Sequence, residues 1–173
     1  MTTADDRERH AWAYLARVAE PPCAPLLDLV AEVGPVEAAD AIRRRVVPPA
    51  HRAVLDITGP RAESNCATDD LIIADRLGAR LITRDDDEWP GWSMLALAQA
   101  DTAVRGGEPL VLWVRGSHRL DDAASAAIAL VGSRAASGYG EQVTSTLASG
   151  LSADGWSVMS GGAYGIDGIA HRA

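Results

Sequence analysis

The chain contains no lysine, and all 16 of its cationic side chains are arginine. That excludes a Walker A lysine, a Schiff-base lysine and the ATP-gripping lysine of kinases. Cysteine is nearly absent: Cys23 and Cys66 stand far apart with no CxxC pair, so neither a disulfide framework nor a zinc knuckle is encoded. Both read as core or surface thiols. No run approaches the ~20 uncharged apolar residues of a membrane span. Asp5, Asp6, Arg7 and Glu8 also lack the basic-then-apolar order of a signal peptide. These absences predict a cytoplasmic protein without membrane contact. His10, His51, His118 and His171 show no HExxH or other metal spacing, and no serine lies in a G-x-S-x-G elbow, so neither a metal nor a cofactor is expected.

What is present supports a packed fold. The 173 residues are 47% apolar, enough for one ordinary domain and a small one. The net charge of −8 is unusual for a nucleic-acid binder, which ordinarily shows a basic excess. Split after Asn65, the chain carries 8 Arg against 10 acids and then 8 against 14, so neither part is a basic block. Any contact with a polyanion must therefore be local, made by a few arginines and backbone amides.

From Asp5 to about Ile57 apolar residues recur at helical spacing: Trp12, Leu15, Ala16 and Ala19, then Leu26, Leu27, Val30 and Val33. Pro21-Pro22 separates the first two helices, and Gly34-Pro35 the second and third. Leu26 to Pro35 resembles a helix-hairpin-helix, a turn that serves either packing or phosphate contact. Arg43-Arg44-Arg45 reads as a solvated helix end. A turn-rich stretch follows, after which Thr68 reads as a cap with Asp69 and Asp70 in the first helical turn and Leu77-Gly78 at its end. Strand-length apolar runs then appear at Ala79 to Thr83, Leu110 to Val114, Ala126 to Val131 and Trp156 to Met159, with helical segments between several of them. Asp85-Asp86-Asp87-Glu88 reads as an exposed acidic turn before Trp89-Pro90, and Trp89 and Trp92 as core anchors.

The expected fold class is α/β: a Rossmann-like, largely parallel sheet, incomplete at the C-terminus, preceded by a small all-helical domain. Residues 1–60 are assigned to the helical domain, 61–68 to a linker and 69–173 to the sheet domain.

Two glycine-rich turns carry the functional reading. The first follows the most apolar strand: Gly132-Ser133-Arg134-Ala135-Ala136-Ser137-Gly138-Tyr139-Gly140 leads into a helical run. Strand, glycine turn and helix start aim free amides at an anion. Gly132 would let a phosphate approach the backbone, Ser133 and Ser137 offer hydroxyls, and Arg134 offers a charged fork. A plain strand-to-helix turn with a surface arginine accounts for the same residues. The second turn, Ser160-Gly161-Gly162-Ala163-Tyr164-Gly165-Ile166-Asp167, follows the next strand. Ligands of open α/β sheets bind beyond the carboxyl ends of strands, so adjacent strands would bring both turns to one crevice. Asp167 and His171, four apart, read as a pair holding the second turn rather than as an acid and base. Tyr139 and Tyr164 could stack on a base.

These residues resemble a known family. Val131-Gly132-Ser133-Arg134 with Ser137 and Tyr139-Gly140, then Ser160 to Asp167 with Ala170-His171, look like the signature of the DNA-processing protein A (DprA, or Smf) family. Leu81-Ile82-Thr83 before Trp89-Pro90, and Pro109 to Gly116, fit the approach to the family's sheet. The helical front suits the sterile-alpha-motif-like or helix-hairpin-helix domain often found in its members. The resemblance implies binding rather than catalysis: single-stranded DNA held and handed to RecA in transformation and recombination by a homodimer. It places phosphate-binding roles on Gly132, Ser133, Arg134, Ser137, Tyr139, Gly140, Ser160, Gly161, Gly162 and Gly165.

The family's basic F-P-x-R-N-R motif does not occur before Ala173. The expectation is therefore an incomplete sheet, and weak or no DNA binding by this stretch alone. Two rivals remain. Gly161 to Gly168 also looks like the first glycine motif of LOG-type nucleotide phosphoribohydrolases, but the P-G-G-x-G-T-x-x-E motif bearing their catalytic glutamate is missing. The third reading is a protein-interaction module whose sheet has lost its site.

Overall fold

A computed structural model describes residues 4–99 and 107–173. The chain divides into two compact units, residues 1–117 and 118–173.

The first unit opens with the helices α1 (Ala4–Val18), α2 (Ala24–Val33), α3 (Pro35–Arg43), α4 (Ala53–Thr58) and α5 (Ala67–Arg76). Proline and glycine set the breaks as the sequence predicts. Gly34 has φ 84°, a backbone glycine adopts without steric cost, and it ends α2 and opens α3 as a single joint residue. Gly78, at φ 64°, follows the end of α5. Trp12, Tyr14, Leu15 and Val18 of α1 are buried together with Leu26, Leu29, Val30, Ala38, Ile42 and Val54. α1 packs on both α3 and α5. Residues 61–68 lie inside this unit, where Ala62 and Ala67 are buried and the Ala62 carbonyl accepts the Tyr14 hydroxyl at 2.7 Å. Three expectations are corrected here. The cap of α5 is Cys66, whose backbone is already helical, while Thr68 sits in the first turn with its hydroxyl 3.1 Å from His10 Nε2. The acidic run is not a plain exposed turn: Asp86 accepts the Thr83 amide and hydroxyl at 2.7 and 2.9 Å, and Glu88 takes a two-bond fork from Arg80 at 2.7 and 2.6 Å. Trp92 is 86% exposed on α6 (Gly91–Ala98) and Trp89 only half-buried, while Pro90 between them is buried.

Cys23 lies in the core and Cys66 on the surface, both as free thiols. Burial pushes the Cys23 thiol up, so a thiolate-directed reagent meets neither an accessible nor an ionised sulfur there. Native-state labelling should modify one cysteine, Cys66, with the second reacting only in denaturant; two labels in the native chain would contradict the packing.

All four predicted strands form: β1 (Ala79–Ile82), β2 (Leu112–Arg115), β3 (Ala127–Ala129) and β4 (Ser157–Met159). The class is mixed α/β, but among the described residues the strands make two two-stranded sheets. β1 pairs antiparallel with β2, Leu81 opposite Trp113, and only β3 pairs parallel with β4, Ile128 opposite Val158. The largely parallel sheet expected from the apolar runs is thus replaced in the first unit by an antiparallel pair.

The second unit holds α7 (Leu120–Ser125), β3, α8 (Gly138–Ala153), β4 and α9 (Ile166–Ala170). β3, α8 and β4 make one strand–helix–strand crossover, the connection parallel strands require. Its strands are half-buried to exposed rather than covered on both faces, since two strands offer helices too little surface for a sandwich. The crossover places the turns after β3 and β4 at the same end of the pair.

Candidate functional site

The two turns meet. The ladder continues one residue past β3, with the Leu130 amide donating to the Met159 carbonyl at 2.9 Å. The Ser160 hydroxyl then crosses from the second turn to the Leu130 carbonyl at 2.6 Å. Further out, the Ile166 amide donates to the Ser133 carbonyl at 3.1 Å. At Gly165, φ 78° and ψ −130°, a methyl group would stand 2.2 Å from the Ser133 carbonyl oxygen and 2.5 Å from that of Arg134. Backbone touches backbone there, which only a glycine permits.

Within this joint each predicted residue has a definite place. Gly132 lies under Ile166: a methyl on Gly132 would come 2.6 Å from the isoleucine side chain. Its small size therefore serves packing between the turns, a role the sequence alone does not reveal because Ile166 looks like an ordinary helix residue. Ser133 is engaged inside its own turn, its hydroxyl accepting the Ala135 amide and donating to the Ala135 carbonyl, both at 3.1 Å. Ser137 is the cap of α8, its oxygen accepting the Gly140 amide at 3.2 Å. A methyl on Gly140 would lie 3.6 Å from Ile166 Cδ1, ordinary van der Waals contact. Gly161 lies against Asp167, whose Oδ2 would be 2.7 Å from an added methyl, and Gly162 faces open space. Tyr139 and Tyr164 are both more than 80% exposed.

His171 Nε2 lies 3.3 and 3.2 Å from the carbonyls of Ser160 and Gly161. Carbonyls only accept, so this nitrogen carries a proton and the ring ties α9 back to the second turn. Of the Asp167–His171 pair, it is His171 whose side chain holds the turn.

Two arginines of this unit, Arg134 and Arg172, are exposed, and among the described residues neither makes an ion pair or hydrogen bond through its side chain. Arg119, by contrast, is committed to Asp121 through two bonds of 3.0 and 2.9 Å, and that fork holds the Asp121 carboxyl below its ordinary value. The amides of Gly161, Gly162 and Ala163 donate to no protein acceptor among the described residues. The joined turns thus carry unspent backbone donors on the second and an unpaired arginine on the first, donor types suited to phosphate oxygens. No group of three or more His, Cys, Asp or Glu able to hold a metal occurs among the described residues.

Comparison with known proteins agrees with the motifs. A family model described as DNA recombination-mediator protein A matches residues 80–173. Curated proteins from two strains of Mycobacterium tuberculosis, named for DNA processing as DprA, are each 54% identical to the chain over 170 residues. The match covers 97% of this chain and 43% of each relative, so the chain spans less than half their length.

Proposed function

Because this chain belongs to the DNA recombination-mediator protein A family, we propose that its paired turns grip the backbone of single-stranded DNA during recombination, for delivery to a RecA recombinase. The observation that carries this reading is the joint itself: Ser160 on Leu130, Ile166 on Ser133, and Gly165 against the Ser133 and Arg134 carbonyls, with Arg134 left unpaired beside it. The β3–α8–β4 crossover supplies the arrangement from which a Rossmann-like sheet is built, with the ligand beyond the carboxyl ends of its strands. Amides and one guanidinium read phosphates and not bases, so affinity is indifferent to sequence and falls with salt. A homodimer is the assembly that the family resemblance implies, and it is proposed here on that ground.

Titration of a short labelled single-stranded oligonucleotide tests the reading. The chain should bind weakly, in the range of about 10⁻⁴ to 10⁻⁶ M typical of nonspecific electrostatic contact, with affinity dropping as salt rises. Arg134→Ala should cost about tenfold, the size of one charge-assisted hydrogen bond. Unchanged affinity in that variant, or insensitivity to salt, would overturn the assignment. Release of free base from a nucleoside monophosphate would instead point to phosphoribohydrolase chemistry.

A further inference from the structure

A second arginine-rich feature lies in the first unit. A cavity of about 520 Å³ is bounded by Arg43, Arg45, Arg61, Glu63, Ser64 and the turn at Gly59. Three guanidinium groups around one cavity with a single lining carboxylate reverse the balance of the whole chain, which carries 24 acids against 16 arginines.

Like charges gathered this way repel, so their positions have to be held by neighbours. Arg43 lies 4.0 Å over the ring of buried Tyr14 and pairs with the exposed Asp40 carboxylate at 3.4 Å, a neutralisation that water screens. Arg45 is the one non-glycine residue among those described with positive φ, 57°, a conformation side chains other than Gly and Asn seldom adopt. That turn sends its guanidinium to the Thr58 hydroxyl at 3.3 Å and the Leu55 carbonyl at 2.5 Å, both uncharged acceptors. Arg61 pairs with Glu20, whose side chain is 75% exposed, so water screens much of that neutralisation. The surplus charge is felt at Tyr14: burial pushes its phenol up, and Arg43 and Arg45 both pull it back down. In sequence Arg43-Arg44-Arg45 reads as a solvated helix end; in the structure the first and third line a hollow, with Arg61 brought in from beyond α4.

We propose that this cavity is an anion site for a phosphate-bearing ligand, with the forks of Arg43, Arg45 and Arg61 as its donors. It shares no residue with the turns of the second unit, so it stands or falls independently of them.

Pyrophosphate is the probe, titrated calorimetrically at low salt into the Arg134→Ala chain so that the paired turns do not contribute. One site per chain is expected, weakening as salt rises. Arg43→Gln and Arg61→Gln should each cost about tenfold in affinity. Glu63→Gln removes the lining carboxylate at an exposed position and should tighten binding several-fold; this variant keeps the test decisive if an arginine variant fails to fold. Competition by a short single-stranded oligonucleotide would identify the ligand as a nucleic-acid backbone, and failure to compete would identify it as a free phosphate compound. Absence of pyrophosphate binding, or equal affinity in all three variants, would overturn the site.

Discussion

Gly165→Ala should destabilise the second unit by about 3–5 kcal/mol, while Gly162→Ala, three residues away in the same turn, should change it by no more than ~0.5 kcal/mol. Two costs add at Gly165. Its φ of 78° with ψ of −130° lies in a region that L residues enter only under strain, of order 1–3 kcal/mol. The added methyl would also overlap the Ser133 and Arg134 carbonyls at 2.2 and 2.5 Å, and these are backbone atoms that cannot swing aside. Separating the turns to relieve the overlap would break the bond from the Ile166 amide to the Ser133 carbonyl. Gly162 has nothing within 4 Å of its would-be methyl, and its φ is not in the strained region. Hydrogen exchange resolved over α8 and α9 measures the difference, and equal protection in the two variants would show that the turns do not meet as described. Since Gly162→Ala leaves the fold alone, any oligonucleotide affinity it loses reports the ligand approaching that turn.

The contrast marks where sequence reading stops. Helical periodicity is legible along the front of the chain, and runs of Val, Ile and Leu locate all four strands. The two glycine turns are legible as well, because glycines clustered directly after an apolar strand break it and signal a turn. What each glycine does is not legible. Gly132, Gly162 and Gly165 carry the same letter, yet one seats Ile166, one faces open space and one relieves a backbone contact. Those roles depend on atoms distant in sequence. Strand direction is hidden for a similar reason. Leu110 to Val114 reads as a continuous apolar run, the mark of a strand covered on both faces. The paired segment is Leu112–Arg115, in which Leu112 and Val114 are half-buried while Trp113 and Arg115 are exposed, the alternation of a one-sided antiparallel strand. An exposed tryptophan makes the alternation look like a run.

Tryptophan burial supplies the second large expected effect. Trp12→Ala should cost about 3–5 kcal/mol, whereas Trp92→Ala should stay within ~0.5 kcal/mol. Trp12 is 2% exposed and belongs to the cluster in which α1 meets the rest of the helical core, so its removal loses the apolar contact of the largest side chain and leaves a cavity there. Trp92 is 86% exposed. Both are tryptophans in helices, and nothing in their chemistry separates them. What separates them is register. Ala11, Trp12, Leu15, Val18 and Ala19 repeat at helical spacing and are buried, with Ala13 and Tyr14 between them buried as well, so Trp12 lies well inside the core. α6 is apolar nearly throughout, so its sequence names no inward face, and Trp92 lies outside. Urea unfolding of the two variants beside the parent chain decides the matter. A midpoint shift for Trp92→Ala as large as that for Trp12→Ala would mean that α6 is covered in solution, and that the exposed tryptophan is a core anchor after all.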